Sequence, residues 1–212
     1  MTEQLEDYIL RHIDAEPPHL AALNRDTHLF HLRPRMCSGH LQGRILKMLV
    51  RMINPQNVLE LGTFTGYSAQ CIAEGLDGNA TVHTVEIDDE LEDFILEHLA
   101  LSPVGDRVRL HIGDAKDVLA NELANITFDL AFIDANKREY TEYLDLVLPR
   151  ISTGGFIIAD NTLWDGKVTQ PLAHGDTQTE GIMRFNDLVA HDDRVETVIL
   201  PIRDGLTILR KK

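Results

Sequence analysis

From Asn57 onward the sequence alternates short apolar, β-branched runs with amphipathic segments, and this alternation constrains the fold more than any other feature. Five runs have the length and composition of buried strands: Val58–Leu61, Thr81–Glu86, Val108–Ile112, Leu130–Asp134 and Gly155–Asp160. Four segments between them have apolar residues at helical spacing: Gly66–Leu76, Asp89–Leu101, Ala115–Leu123 and Glu139–Pro149. The alternation predicts an α/β fold, with a mostly parallel sheet covered by helices on both faces.

The first part of the chain is predicted to be helical throughout. After a first short helix, further helices are expected over about His19–Leu32 and Gly39–Ile53, with proline-containing breaks between them. We therefore expect one domain that spans all 212 residues. In it, an N-terminal helical segment over residues 1–53 accompanies an α/β core over residues 57–212.

The last part of the chain adds two features. The runs Val195–Leu200 and Leu206–Leu209 flank a turn that contains Gly205, and they predict a terminal β-hairpin added to the sheet. Before this hairpin, Asn161–Gln178 is the longest irregular segment and carries the only tryptophan, Trp164. Long loops in compact domains are often functional, so we expect this loop to contribute to a ligand site.

Charge and composition narrow the class of partner. The chain has 34 acidic and 20 basic side chains, for a formal net charge of −14, and such a surface repels nucleic-acid phosphates and anionic membranes. The acidic N-terminus does not resemble a secretory signal, and no apolar stretch is long enough to span a bilayer. The two cysteines, Cys37 and Cys71, lie far apart in the sequence. We expect a cytoplasmic protein with free thiols and with neither a nucleic-acid nor a membrane partner.

Ligands of open α/β sheets bind outside the carboxyl ends of the strands, so the residues that close each strand are informative. The first strand contains Glu60 and enters a Gly-x-x-x-Gly turn at Gly62, which lets backbone approach a ligand before a helix N-terminus. Glu86 ends the second strand, at a spacing that suits hydrogen bonds to ribose. Asp114 follows the third strand, and the small Ala115 leaves room for a flat ring. Each feature alone fits an ordinary turn or solvated carboxylate, but together they indicate a nucleoside site.

Two later strands end in oxygen-bearing side chains. Asp134 closes one apolar strand, and Asp160 followed by Asn161 closes the next. Adjacent strand ends would bring the three together, and two carboxylates with an amide oxygen suit Mg²⁺, Mn²⁺ or Ca²⁺ rather than Zn²⁺. A strand-end aspartate also commonly caps the following helix. Asp160 fits that alternative poorly, because the residues after it do not begin a convincing helix.

The chain resembles the S-adenosylmethionine-dependent O-methyltransferases of the caffeoyl-CoA and catechol type over nearly its whole length. Three segments carry the resemblance: VLELGTFTGYS (58–68), DANK (134–137) and DNTLW (160–164). The chain departs from the family at Gly39-His40, where a Ser-Pro pair is usual. The resemblance implies a Rossmann-like class I methyltransferase fold with a mostly parallel seven-stranded sheet, a homodimer, and metal-dependent methylation of a small catechol-like or caffeoyl-type vicinal hydroxyl.

The resemblance also assigns roles to individual residues. Those implied to contact S-adenosylmethionine are Met36, Ser38, Glu60, Gly62, Thr63, Ser68, Glu86, Asp114, Ala115 and Asp134. The implied ligands of the divalent cation, most commonly Mg²⁺, are Asp134, Asp160 and Asn161. The implied catalytic residues are Lys137 and Asp134, and the implied substrate contacts are Lys137 and Trp164.

The chemistry of these groups is consistent with methylation of a phenol. A phenol has a pKa of about 10 and is a poor nucleophile at neutral pH, and a divalent cation at its oxygen favours the deprotonated form. Lys137 would accept the proton or stabilise the phenolate. Trp164 and Tyr140 would offer apolar walls to an aromatic ring. The alternatives are a solvent-exposed lysine at a helix start and a tryptophan that only packs.

Three other functions compete with this interpretation. A nicotinamide-linked oxidoreductase would share the fold, but the chain lacks the G-x-G-x-x-G turn. Methyltransferases that act on nitrogen often carry an Asn/Asp-Pro-Pro-aromatic motif where this chain has Asp134-Ala135-Asn136-Lys137. A protein that keeps the fold and binds the cofactor without catalysis is a third alternative, because a sequence does not report turnover.

Overall fold

The computed structural model describes residues 3–212, and its strands form one seven-stranded sheet. In chain order the strands are β1 (Asn57–Leu61), β2 (Thr81–Glu86), β3 (Val108–Ile112), β4 (Phe128–Ile133), β5 (Ile151–Asp160), β6 (Val195–Leu200) and β7 (Leu206–Lys211). Their spatial order is β3-β2-β1-β4-β5-β7-β6, and β7 runs in the opposite direction to the other six strands. The α/β fold with a C-terminal hairpin is therefore confirmed. Met1 and Thr2, which open the acidic N-terminal segment, lie outside the described residues.

The described chain has eight α-helices. They are α1 (Glu3–Leu10), α2 (Pro18–Phe30), α3 (Gly39–Ile53), α4 (Tyr67–Gly75), α5 (Glu92–Ala100), α6 (Ala115–Ala120), α7 (Tyr140–Val147) and α8 (Thr177–Ala190). Of these, α3 to α8 pack on the two faces of this sheet. Helices α1 to α3 lie within the N-terminal segment predicted to be helical. We propose that residues 1–53 form a helical segment and residues 57–212 the α/β core of a single domain. Over the described residues, no helix combines the length and apolar character needed to cross a membrane.

Helix α8 is the element that the sequence pattern did not predict. Asp176 caps it, accepting a hydrogen bond from the Thr179 N–H at 3.1 Å. Gly181 lies in the helix interior and lowers its intrinsic helical preference. A Cβ added at Gly181 would lie 2.5 Å from the Lys137 carbonyl oxygen, so the helix packs directly on the backbone that follows β4. Ile182, Phe185 and Val189 lie at helical spacing behind this cap and are buried, so α8 combines a local apolar pattern with a contact that only glycine at 181 allows.

The strand order reverses beside β1, and this reversal determines which edge of the sheet can bind a ligand. The chain runs from β1 outward to β2 and β3, and then returns to β4 on the other side of β1. Leu61 is in register with both Val85 and Ile133. The carboxyl ends of β1, β2 and β4 consequently meet at one edge, which is where open α/β sheets bind ligands.

Two apolar clusters hold the helices against the sheet. The first packs α7 and α8 on one face around buried side chains such as Phe128, Leu144 and Phe185. The second packs α3, α4 and α5 on the opposite face, with Leu46 and Ile72 at its centre. Both clusters include strand residues, so the carboxyl edge of the sheet is held on both faces.

Candidate active site

The turn after β1 depends on a glycine and on the end of β4. Gly62 has a φ of 96°, and its N–H donates to the Val85 carbonyl oxygen at 3.0 Å. A Cβ at this position would overlap the Asp134 carbonyl group, so only glycine lets the two strand ends approach this closely. Gly66, with a φ of 86°, then precedes α4, whose first-turn N–H groups suit an anionic group.

Glu60 is a fully buried carboxyl group in β1. Its Oε2 accepts a hydrogen bond from the Thr84 hydroxyl at 2.5 Å, and Thr63 Oγ1 lies 2.5 Å from the same Thr84 oxygen. Burial raises the pKa of Glu60 to about 8, although the Thr84 and Ser68 hydroxyls favour the charged form. Glu60 Oε1 makes no hydrogen bond of good geometry within the described chain, although the Ser68 hydroxyl lies close enough to the carboxyl group to lower its pKa. A cationic amino group at Oε1 would favour the carboxylate, which fits the predicted methionine end of the cofactor.

Glu86 joins the end of β2 to the turn after β1. Its Oε2 accepts from the Phe64 N–H at 2.6 Å, and its Oε1 accepts from the Asp88 N–H at 3.0 Å. Burial raises the pKa of Glu86, and these backbone donors act in the opposite direction. Each oxygen keeps a free lone pair for a hydroxyl donor. The predicted contact with ribose is compatible with this geometry and stays a prediction.

Asp114 and Ala115 lie where β3 passes into α6. Asp114 Oδ1 accepts from the Lys116 N–H at 2.8 Å and so caps the helix. Ala115 is partly buried and packs against the larger apolar cluster. The Gly113 N–H donates to the Glu86 carbonyl oxygen at 2.8 Å, which ties this corner to the end of β2. The helix cap gives Asp114 a structural role besides its predicted contact with the cofactor.

Met36 and Ser38 lie immediately before α3. Met36 closes a short 3₁₀ turn with a side chain more than half exposed, whereas Ser38 is buried. The Ser38 side chain makes no capping hydrogen bond to α3. One turn into that helix, Gln42 Nε2 donates to Asp160 Oδ2 at 2.5 Å. The first turn of α3 therefore lies beside the end of β5, next to the predicted metal ligands.

Lys137 and Asp134 form a contact at the end of β4. Lys137 Nζ donates to Asp134 Oδ1 at 2.5 Å and to the Tyr140 hydroxyl at 2.8 Å. The Lys137 side chain is largely buried, which excludes the alternative of a solvent-exposed lysine. The Tyr140 hydroxyl lies 3.0 Å from the Asp160 carbonyl oxygen and 3.2 Å from that of Ile133. Tyr140 thus holds Lys137 between the ends of β4 and β5.

The interpretation of Tyr140 as an apolar wall for a substrate is wrong. Its side chain is fully buried and, unlike Glu60, has no polar atom without a partner, because its hydroxyl is bonded to Lys137 and to the Ile133 and Asp160 carbonyl oxygens. Its ring stacks edge-on against Phe185 of α8, with centroids 5.5 Å apart. Burial and the charges of Asp134 and Asp160 raise its pKa well above the usual value, so the hydroxyl is a neutral hydrogen-bonding group.

Asp160 and Asn161 end β5 beside this cluster. Asp160 is buried, and its Oδ1 accepts the Asn161 N–H at 2.7 Å while Oδ2 accepts from Gln42. Burial, followed by the charge of Asp134, raises the pKa of Asp160 to about 7. Asn161 has a φ of 57°, in the left-handed region that asparagine adopts more readily than most other residues with a side chain.

These residues fit a hard divalent cation. The carboxyl groups of Asp134 and Asp160 interact electrostatically, and a bound cation would offset the repulsion between their charged forms. Their oxygen donors suit Mg²⁺, Mn²⁺ or Ca²⁺. In residues 3–212, no three His, Cys, Asp or Glu side chains are grouped suitably for a metal ion. The predicted third ligand, the amide oxygen of Asn161, is not among these residue types, and the cation site stays a prediction.

The segment after Asn161 is held by the turn between β6 and β7. The Thr162 N–H donates to the Gly205 carbonyl oxygen at 3.1 Å, and the Leu163 N–H donates to that of Asp204 at 2.8 Å. Trp164 follows with a φ of 44° and a partly buried ring. Its buried Nε1 has no hydrogen-bond partner within the described chain. A ligand with an acceptor atom would satisfy this donor, which fits the predicted substrate contact.

Sequence reasoning missed two residues of this region, Gln42 and Arg203. Gln42 links α3 to Asp160, and Arg203 Nη1 donates to Gln42 Oε1 at 3.0 Å. The residues are separated by more than 100 positions from each other, and no local motif marks either one. The only available indication was that Gln42 lies on the apolar face of a predicted helix, where a polar side chain needs a partner.

The chain matches the model of a known protein family and several characterised relatives. The family model for O-methyltransferases matches residues 11–212. A caffeoyl-CoA O-methyltransferase of Stellaria longipes is 29% identical over 220 residues, covering 99% of this chain and 91% of that protein. Tapetum-specific methyltransferase 1 of Arabidopsis thaliana is 35% identical over 177 residues, covering 80% of this chain and 76% of its own length.

Solved structures show the same fold. The O-methyltransferase of Bacillus cereus, in complex with SAH, superposes with a TM-score of 0.91 at 27% identity, covering 99% of this chain and 97% of that one. The O-methyltransferase TomG of Streptomyces achromogenes, in complex with SAM, gives 0.89 at 27% identity and covers both chains completely. By sequence and by structure, the chain belongs to the O-methyltransferase family of the caffeoyl-CoA type and is an O-methyltransferase.

Proposed function

We propose that this enzyme transfers the methyl group of S-adenosylmethionine to one oxygen of a small vicinal diol, of the catechol or caffeoyl kind, with a divalent cation held by Asp134, Asp160 and Asn161. One observation carries the proposal. The ends of β4 and β5 bring a lysine and two interacting carboxyl groups into one buried cluster. An oxygen-rich cluster of this kind suits a cation and the hydroxyl groups of a substrate.

Several residues support the use of S-adenosylmethionine. The buried carboxyl group of Glu60 has an oxygen without a good hydrogen bond and suits the cofactor's amino group. Ser38 and Ser68 are buried hydroxyls suited to its carboxylate, and Glu86 has lone pairs for the ribose. TomG and the Bacillus cereus enzyme were solved with SAM and SAH respectively. Asp114 and Ala115 would border the adenine, and Met36 the sulfonium.

A divalent cation at these ligands would lower the pKa of a hydroxyl in contact with it and fix the orientation of the diol. The chain's own residues would do the rest. Lys137 would accept the hydroxyl proton or, as an ammonium group, stabilise the phenolate. Tyr140 holds the lysine in place, and Trp164 would pack on the aromatic ring. Holding both reactants in line supplies much of the rate acceleration, and no covalent enzyme intermediate is needed.

An assay against a panel of phenols tests this proposal. We expect methyl transfer to vicinal diols, its loss when EDTA is present, and its recovery when Mg²⁺ is added back. Matched phenols with a single hydroxyl group serve as controls and should react far more slowly, because they cannot chelate. Equal rates for diols and single phenols, unaffected by EDTA, would contradict the role of the metal and the preference for diols. The assignment as an O-methyltransferase would still stand.

We also propose a homodimer of cytoplasmic location that binds neither nucleic acid nor membrane. Exposed apolar side chains at the end of α2 support the dimer, since Leu29, Phe30 and Leu32 are 61%, 72% and 102% exposed. Both cysteines are free, as expected for a reducing compartment. Light scattering on a sizing column should give twice the chain mass, and Phe30→Glu should give the monomer.

A further inference from the structure

A buried glutamine connects the end of β5 to the turn between β6 and β7. Gln42 of α3 is 2% exposed, and Asp160, to which its Nε2 donates at 2.5 Å, is 3% exposed. On its other side, Gln42 Oε1 accepts from Arg203 Nη1 at 3.0 Å. The three side chains form one chain of hydrogen bonds, although they come from three separate parts of the sequence.

The arginine determines which end of the glutamine amide faces Asp160. An arginine side chain has only donors, so the atom that faces Arg203 is the amide oxygen. The amide nitrogen of Gln42 then faces Asp160 and donates to Oδ2. The Asn161 N–H donates to the other oxygen, Oδ1, at 2.7 Å. Donors from two directions therefore fix the rotation of the Asp160 carboxyl group about its χ2 angle.

Arg203 is itself held in an uncommon backbone conformation. Its φ of 50° lies in the left-handed region, in the turn that joins β6 to β7. The next two residues of this turn, Asp204 and Gly205, accept hydrogen bonds from the segment that follows Asn161. The turn thus contacts both sides of the β5 end: the backbone after Asn161 directly, and Asp160 through Gln42.

We propose that Gln42 and Arg203 are positioning residues that orient Asp160 toward the cation of the proposed site, with Arg203 acting through Gln42. The inference rests on the proposed function, because it assumes that Asp160 is a metal ligand. Hydrogen bonds of this outer kind orient metal ligands, and their loss typically weakens metal binding about 10- to 100-fold. Neither residue would touch the methyl donor or the acceptor.

Titration calorimetry of Mn²⁺ binding to the ligand-free protein tests the proposal. We expect Gln42→Met, which keeps the volume but removes the donor, to raise the Kd about 10- to 100-fold. Arg203→Met keeps the backbone strain and frees the amide to rotate, so it should raise the Kd by a smaller factor. The double variant should match Gln42→Met alone, because residues in one network are not additive. Arg210→Met, which removes an exposed pair with Glu196, is the matched control and should bind as the wild type does.

Three outcomes would overturn the proposal. If Gln42→Met folds with an unchanged melting temperature and binds Mn²⁺ as tightly as the wild type, the glutamine does not orient a ligand. If Arg203→Met lowers affinity as much in the Gln42→Met background as in the wild type, it does not act through Gln42. If the wild-type protein binds no Mn²⁺, the proposed metal site fails and this inference fails with it. Arg203 lies in an exposed turn, so Arg203→Met should fold and still test the proposal if Gln42→Met does not fold.

Discussion

The two halves of the candidate site are built in different ways. At the ends of β1 and β2, the carboxyl groups of Glu60 and Glu86 are held by neighbours within about one strand–helix unit, although the turn between them also packs on Asp134. The half at the ends of β4 and β5 draws on α3 through Gln42, and on the β6–β7 turn through Arg203 and Asp204. The first half is thus mostly local in sequence, and the second is assembled from distant segments.

This difference matches the chemistry proposed for each half. A cofactor common to a whole family can be bound by one local motif, whereas an acceptor site must vary between enzymes with different substrates. Strained backbone occurs in both halves: Phe64 has a φ of 49° in the turn after β1, and Trp164 and Asp165 have φ of 44° and 53° after β5. Strain at such positions persists only where surrounding contacts impose it. We therefore expect substitutions in the two halves to affect different measurements.

The largest expected effect is on catalysis and comes from Asp160→Ala. Loss of a metal carboxylate should lower kcat/KM for a diol about 10³-fold or more, because a cation supplies several kcal/mol of charge stabilisation. Affinity for S-adenosylmethionine should be largely spared, since the cofactor half is separate. A labelled-methyl assay and calorimetry would measure the two effects. Asp77→Ala, at an exposed aspartate, is the control; full, chelator-resistant activity of Asp160→Ala would refute the metal role.

Lys137→Ala should give the next largest loss. Removing a proton acceptor or a phenolate partner typically lowers kcat by about 10²-fold or more. KM should change little, whereas the melting temperature should fall somewhat, because Asp134 and the buried Tyr140 hydroxyl lose a hydrogen-bond partner. The exposed Lys116, paired with Glu139 and Glu142, provides the matched control Lys116→Ala. An unchanged kcat in Lys137→Ala would remove the lysine from the mechanism.

Glu60→Gln should act on the other half. It keeps the shape of the side chain but removes the charge that would meet the cofactor's amino group. A hydrogen bond to a charged group contributes about 1.5–3 kcal/mol, so the Kd for S-adenosylmethionine should rise about 10- to 100-fold. Mn²⁺ affinity should not change, in contrast to Asp160→Ala. Equal loss of both affinities would mean that the two halves are not separate.

The pH dependence of the ligand-free protein offers a related test. Between about pH 4.5 and pH 8 the folded state keeps a proton on Glu60 that the unfolded chain has released. Stability therefore falls as the pH rises through this window, by about 1.4 kcal/mol per pH unit for this one group. Denaturant titrations at several pH values should show a shallower fall in Glu60→Gln. An identical slope in both proteins would show that Glu60 ionises normally.

The smallest expected effect concerns the turn that holds the acceptor half. At Gly205, with a φ of 90°, an added Cβ would lie 2.5 Å from Leu163 Cγ; at Gly78, with a φ of 58°, it would meet nothing within 4 Å. Both alanine variants carry a cost for the left-handed backbone. Gly205→Ala should be less stable than Gly78→Ala by about 1 kcal/mol, because the overlap adds to that cost. Equal denaturation midpoints would show that Leu163 moves freely.

The same contrast explains what could be predicted from the sequence. Alternation of strand and helix patterns gave the sheet and its hairpin, and strand ends gave Glu60, Glu86, Asp134 and Asp160 as candidates. These residues could be found because a parallel sheet aligns its carboxyl ends whatever the helices do. Helix α8 is missed because Gly181, which its contact with the Lys137 backbone requires, weakens the helical pattern of Ile182, Phe185 and Val189.

Other residues of the site could not be predicted because their roles depend on distant partners. Tyr140 follows the DANK motif closely, but the motif does not show that its hydroxyl points inward to bond Lys137 and the Asp160 carbonyl oxygen. Gln42 and Arg203 are related only through the folded chain. Patterns local in sequence thus identify the groups that bear the chemistry and miss those that orient them.

Anomalous diffraction from crystals grown with Mn²⁺ and S-adenosylmethionine tests the central claim most directly. The account predicts one strong peak within about 2.0–2.6 Å of side-chain oxygens from Asp134, Asp160 and Asn161. No peak at the ends of β4 and β5, in crystals that contain the bound cofactor, would contradict it.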